Sequence, residues 1–283
     1  MRSSRQTPPG EHISRLLRVL RTPSRLVQAL WRRHPIGSFD LRCRFDIFER
    51  PHYAYGVQQG AYLANRLGIP AISVIEFGVA GGRGLIALED VARLASRAYG
   101  VRIDVYGFDR AVGLPNSSDF RDLPYTWEEG FFAMDVVELQ SKLREARLVL
   151  GDISDTVPTF IEEFDPAPIG FVAVDLDYYS STVDALKIFN LPESYMLPRV
   201  LCYFDDIVGE DHVLQNDFVG ELLAIQEFNS DNSKTKISPV NGLDTKRDLP
   251  GSWNDSMFAM HRFDHPSYGT YVGPARREQQ LAL

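Results

Sequence analysis

The sequence predicts an α/β fold: a doubly wound, seven-stranded, mostly parallel sheet with an antiparallel C-terminal strand, preceded by a helical extension. Three observations predict it. Short β-branched or apolar runs alternate with helical stretches through residues 72–204, which is the pattern of a parallel sheet covered on both faces. A turn with four glycines follows the first of these runs. Two more strand-like runs close the chain with no clear helical pattern between them, so they are expected to form an antiparallel hairpin at the sheet edge.

The elements follow in order. Tyr53–Leu67 has helical periodicity and stops at Gly68. Strands are expected over Ile72–Phe77, Ile103–Phe108, Ala146–Leu150, Gly170–Asp175 and Arg199–Phe204. Helices are expected over Leu85–Tyr99, Met134–Glu145, Thr156–Phe164, Thr182–Phe189 and near Phe218–Phe228, with the last strands at Lys236–Val240 and Met257–Phe263. A Rossmann-like sheet with this ending fits a methyltransferase better than a dinucleotide dehydrogenase.

Composition narrows the class. With 44% hydrophobic and 24% charged residues the chain reads as an ordinary globular protein. No apolar run is long enough to span a bilayer, and no signal sequence is legible, so a cytoplasmic location is expected. The two cysteines, Cys43 and Cys202, are too few for a disulfide framework or a cysteine-bound zinc. The net charge of −8 conceals an asymmetry: residues 1–50 carry eleven arginines against four acids, leaving 19 basic and 34 acidic residues beyond. An acidic body offers phosphates no cationic track, so no nucleic-acid partner is expected.

Residues 1–51 read as a basic, amphipathic helical arm, and 52–283 as one domain. In the arm Ile13, Leu16, Leu17 and Leu20 share a helical face, Thr22-Pro23 reads as a helix start, and Leu26, Val27, Leu30 and Trp31 form a second apolar face. Such an arm suits packing on the domain, contact with a second copy, or peripheral attachment to an anionic membrane.

The first strand runs into Glu76-Phe77-Gly78-Val79-Ala80-Gly81-Gly82-Arg83-Gly84. Glycines at a strand-to-helix turn let the backbone approach a ligand, and the helix start offers free amides. A nucleotide-type cofactor is therefore expected at Glu76, Gly78, Val79, Gly81 and Gly82. Gly82-Arg83-Gly84-Leu85-Ile86-Ala87 satisfies the dinucleotide pattern, but it begins inside the helix rather than at the strand end. The acid-x-glycine pattern of methyltransferases begins at Glu76, still in the strand. Asp109, ending strand two, suits a ribose diol, and Asp152, after strand three, suits the adenine amine.

Strands four and five end in Asp175-Leu176-Asp177 and Asp205-Asp206. Side by side, these four carboxylates would crowd one rim, with no lysine or arginine near them in sequence. Like charges that close must hold protons or share a cation, and an all-oxygen donor set favours Mg²⁺. Asp175, Asp177, Asp205 and Asp206 are therefore expected as metal ligands, with Asp175 also serving the cofactor site and catalysis. His212 is the nearest histidine to the cluster and a candidate general base.

Six stretches in this order resemble the macrocin O-methyltransferase family: Glu76-Phe77-Gly78-Val79 with Gly81-Gly82; Gly107-Phe108-Asp109 with Gly113-Leu114-Pro115; Trp127 with Gly130-Phe131; Gly151-Asp152 with Thr156-Val157-Pro158; Asp175 through Thr182; and Asp205-Asp206. The resemblance spans residues 52–210. It implies S-adenosylmethionine bound at Glu76, Gly78, Gly82 and Asp109, and Mg²⁺ held by Asp175 or Asp177 with Asp205 and Asp206. It also implies methylation of a hydroxyl on a sugar or natural-product glycoside. Trp127, Phe131 and Tyr179 are candidates for the acceptor wall. The rival readings are a metal-independent methyltransferase, an NAD(P)-dependent oxidoreductase and a non-catalytic scaffold.

Overall fold

The computed structural model describes residues 25–249 and 251–273, and the side chains from residue 27 onward. The first amphipathic face of the arm, the Thr22-Pro23 start and the side chain of Leu26 lie outside them. Seven strands, β1 (Ala71–Phe77), β2 (Arg102–Asp109), β3 (Arg147–Leu150), β4 (Ile169–Val174), β5 (Met196–Phe204), β6 (Thr235–Pro239) and β7 (Met257–Arg262), form one sheet. Their order is β3-β2-β1-β4-β5-β7-β6. The β1–β2, β1–β4, β2–β3 and β4–β5 pairs are parallel, and β7 runs antiparallel to both β5 and β6. The expected antiparallel hairpin is present at the sheet edge, with β7 lying between β5 and β6.

Every residue of β4, and all but the first of β1, is buried, as in a sheet covered on both faces. One face carries α3 (Pro51–Leu67) and α4 (Arg83–Tyr99); the other carries α6 (Ile153–Phe164), α7 (Tyr179–Leu186) and α8 (Gly220–Asp231). Helix α3 lies close on β4 because its contact face is small. A Cβ on Gly56 would fall 2.1 Å from the Phe171 ring, and one on Gly60 would fall 2.6 Å from the Gly170 carbonyl. That closeness lets Tyr53, one turn earlier, reach the tip of β1. Gly68 then stops α3 in the left-handed region, as its position predicts.

Element boundaries shift where side chains compete for backbone groups. Helix α5 (Val136–Lys142) is shorter than expected at both ends. Asp135 caps its start by accepting from the Glu138 amide at 2.9 Å. At the other end the buried Glu89 carboxylate accepts from the amides of Arg144, Glu145 and Ala146, which draws them out of the helix. Helix α6 begins earlier than expected, directly after Asp152, and Pro158 lies within it. The β6–β7 connection, expected to lack a helix, holds a single turn, α9 (Leu243–Lys246).

The arm's described part includes α1 (Arg25–Arg33) and α2 (Phe39–Arg44). Phe39, Cys43 and Phe48 join the hydrophobic core of the body, whereas Val27 and Leu30 are exposed. No helix among the described residues is long and apolar enough to cross a membrane. Residues 39–50 are held to the C-terminal region by a buried ion pair between Asp46 and Arg247. Burial pushes the Asp46 carboxyl up despite the attraction of Arg247. The guanidinium also stacks on Trp253 (4.4 Å) and Tyr55 (5.3 Å). Arg247→Ala leaves Asp46 buried and unpaired. It is expected to destabilise the fold by about 3 kcal/mol, read from the urea unfolding midpoint.

Candidate active site

The carboxyl ends of β1, β2, β4 and β5, with the segments that follow them, surround a cavity of about 570 Å³, ample for a nucleotide-sized ligand. It sits where strand order reverses around β1, the place at which open α/β sheets bind ligands. Glu76, Gly78, Val79, Gly81, Gly82, Asp109, Asp152, Asp175, Asp177, Asp205 and Asp206 all line it. His212 does not. It is exposed and paired with Glu210 at 3.5 Å, so the expected base is not brought to the cluster. No other histidine lines the cavity among the described residues.

The glycines of the turn have separate reasons. Gly78 has φ +82, and a Cβ there would fall 1.7 Å from the Asp175 carbonyl. Gly82 has φ +80, and its Cβ would strike Leu139 at 2.2 Å. A Cβ on Gly84 would fall 1.9 Å from Glu76 Oε1, so Gly84 leaves room for that carboxylate. Gly81 differs: it is exposed at the cavity, and a Cβ there would meet nothing within 4 Å. Neither packing nor a left-handed backbone calls for glycine at 81, so the position leaves open space at the cavity.

Glu76 is 1% exposed, and its Oε1 accepts from Tyr53 Oη at 2.6 Å. Its Oε2 is buried without a hydrogen-bond partner among the described residues. Burial pushes the carboxyl up to about 8, although the Tyr53 hydrogen bond pulls it down. An unpaired buried acceptor on the wall of a cavity fits a cationic ligand group such as an ammonium. Asp109, expected at a ribose, also braces the turn. Its Oδ2 accepts from the amides of Val79 (2.9 Å) and Ala80 (2.8 Å), and Oδ1 from Ala111 (2.6 Å). An ionised carboxylate accepts about four hydrogen bonds, so these three leave room for a ligand hydroxyl. Asp152 is held in an ion pair by Arg110, a partner the sequence reading did not assign.

Asp175, Asp205 and Asp206 each offer an oxygen within 4.8 Å of the others. Asp177, expected as a fourth ligand, is outside that group: the chain turns there with φ 60, and its amide donates to Asp206 Oδ2 at 2.8 Å. Tyr203 Oη donates to Asp205 Oδ1 at 2.6 Å, and the Asp206 amide donates to Glu221 Oε2 at 3.1 Å. Glu221 is fully buried, and its Oε1 has no hydrogen-bond partner among the described residues. Burial, then the surrounding carboxylates, push Asp175 and Glu221 well up, Asp177 to about 7 and Asp206 to about 8. Arg50, from the end of the arm, is the cation that sequence distance concealed. Burial opposes its charge, but Tyr53, Glu76, Asp175 and Asp205 outweigh that and raise it.

The loop from 110 to 135 closes one side. Leu114 and Phe131 pair through their backbones (2.9 Å), and a Cβ on Gly113 would strike the Phe131 carbonyl at 2.5 Å. Trp127, Phe131 and Phe132 thereby line the cavity, and the buried Trp127 Nε1 lacks a partner. Tyr179, a third expected wall residue, does not line it; its hydroxyl donates to Glu227 at 2.5 Å and accepts from Arg121 at 2.8 Å.

No protein-family model and no curated protein sequence matches the chain. Solved structures do. The chain superposes on CalS11, a calicheamicin methyltransferase, with a TM-score of 0.52 and 18% identity, covering 92% of this chain and 95% of that one. It superposes on the O-methyltransferase NovP with a TM-score of 0.51 and 15% identity, covering 75% and 80%. The fold is the Rossmann-like fold of these methyltransferases. At these identities the likeness concerns the fold alone.

Glu76, Asp177 and Asp206 hold protons in the folded chain at pH values where the unfolded chain has released them. Stability without divalent cations is therefore expected to fall as pH rises from about 4 to 8. Glu76→Gln removes one such group. Urea unfolding across that range should give a slope shallower by up to about 1.4 kcal/mol per pH unit.

Proposed function

We propose that the chain is an S-adenosylmethionine-dependent O-methyltransferase acting on a hydroxyl of a small molecule, a sugar or natural-product glycoside, with Mg²⁺ assisting. The observation that carries this is one cavity joining two unlike ends. At one end are the glycine turn and the unpaired Glu76 oxygen; at the other are Asp175, Asp205 and Asp206. The first suits an adenosyl amino acid, and the second suits a hard cation and a hydroxyl. The shared fold with CalS11 and NovP and the resemblance to the macrocin O-methyltransferases support the same reading.

S-adenosylmethionine supplies a methyl on a sulfonium, open to an oxygen nucleophile. The backbone of 78–82 cradles that ligand, with Gly81 leaving space for it. Glu76 takes the ammonium, Asp109 the ribose through its spare acceptor sites, and Asp152 the adenine amine. Mg²⁺ supplies charge that lowers the pKa of a hydroxyl. Asp175, Asp205 and Asp206 hold it, with Tyr203 orienting Asp205 and the Asp177 amide orienting Asp206. Asp175 borders both ends and is the residue assigned to accept the hydroxyl proton. Trp127 and Phe131 exclude water from the acceptor. A metal-independent version has Arg50 in its favour, because Asp175 and Asp205 favour the charge of its guanidinium.

Calorimetric titration of chelator-treated protein is expected to show saturable binding of S-adenosylhomocysteine and none of NADH. NADH binding alone would sink the reading in favour of an oxidoreductase. Turnover of a hydroxylated acceptor is expected to need Mg²⁺. Asp205→Asn should lower Mg²⁺ affinity by roughly 10-fold or more, leaving S-adenosylhomocysteine affinity little changed. Full turnover in chelator would select the metal-independent version.

A further inference from the structure

Among the described residues three arginines line the cavity, and two are committed: Arg83 to Glu49 at 2.9 Å and Arg110 to Asp152. The third, Arg50, is half-buried, and among the described residues its guanidinium makes neither a hydrogen bond nor an ion pair. It rests over the ring of Tyr53, with Cζ 5.6 Å from the centroid. The hydroxyl of that tyrosine binds Glu76 Oε1, while Glu76 Oε2 stays buried and unpaired. A single tyrosine thus spaces an uncommitted cation and an uncommitted carboxylate oxygen on one cavity wall.

From this juxtaposition we infer that Arg50 and Glu76 together clamp the amino-acid end of S-adenosylmethionine, Arg50 taking its carboxylate and Glu76 its ammonium. This rests on the cofactor reading above. An α-amino acid is a zwitterion with its two charges a few bonds apart, so it needs one donor set and one acceptor set side by side. The planar guanidinium fork matches a carboxylate with two parallel hydrogen bonds, which an ammonium cannot supply. Binding both charges at once also cancels the local imbalance: neither Glu76 nor Arg50 is left desolvated without a partner. A competing role for Arg50 is internal counter-ion to Asp175 and Asp205, and the two roles separate on ligand choice.

The probes are S-adenosylmethionine and its decarboxylated form, which keeps the ammonium and sulfonium and lacks the carboxylate. Each is titrated calorimetrically into chelator-treated full-length protein. The wild type is expected to prefer the carboxylated ligand by about 10- to 100-fold, the loss typical of a charge-assisted hydrogen bond. Arg50→Gln should abolish that preference to within about two-fold, and Arg50→Lys should keep part of it, as a point charge in place of a fork. An Arg50→Gln protein that retains the full preference overturns the clamp. So does a wild type that binds both ligands equally, a comparison that needs no variant to fold. A wild type that binds neither ligand brings down the cofactor reading itself, and the clamp with it.

Discussion

The carbonyl of Asp175 lies 1.7 Å from the point that a Cβ on Gly78 would occupy, and the site depends on that approach. It brings the turn after β1 against the tip of β4, so that a ligand held by the turn faces the acids of β4 and β5. Backbone hydrogen bonds fasten the same corner: the Asp175 amide donates to the Phe77 carbonyl at 2.9 Å, and the Gly78 amide to Phe108 at 2.9 Å. Three strand tips are thereby locked at one level. The separation between the two ends of the cavity follows from sheet geometry and is not left to loops.

Gathering carboxylates on that rim creates an electrostatic problem, which the protein answers in parts. Some charge is absorbed by backbone amides, as at Asp109 and Asp206. Some is opposed by Arg50, brought in from outside the sheet. The rest is unanswered: Glu76 and Glu221 each keep a buried oxygen with no partner, and their carboxyls are pushed upward. Of the two, Glu76 lines the cavity, where an unpaired buried oxygen suits a site completed by a ligand. Arg50, standing where the arm passes into α3, reaches the wall of the same cavity.

Much of the site was legible in sequence because it rests on short-range pattern. The glycines after β1, the acid ending β2 and the paired acids ending β4 and β5 each occupy a few consecutive residues. In a parallel sheet, strand ends gather at one edge whatever the loops between them do. The partners of those residues were not legible. Tyr53 meets Glu76, Glu221 meets Asp206 and Arg50 reaches the wall of their cavity from residues far off in sequence, and no local signal marks those meetings. His212 misled for the opposite reason: six residues from Asp206 in sequence, its loop carries it to the surface.

What the sequence by itself determined is therefore the order of strands and helices, the edge at which the cavity lies and the sign of the charge there. These follow from hydrophobic period, from glycine's access to left-handed backbone and from where acids stand relative to strand ends. Tertiary structure alone decided which oxygens are already taken and which remain open. That depends on how closely α3 settles on β4, on Asp177 giving its amide to Asp206, and on a guanidinium arriving from the arm. Each is a through-space event between distant segments, set by packing, and packing acts on the folded chain as a whole.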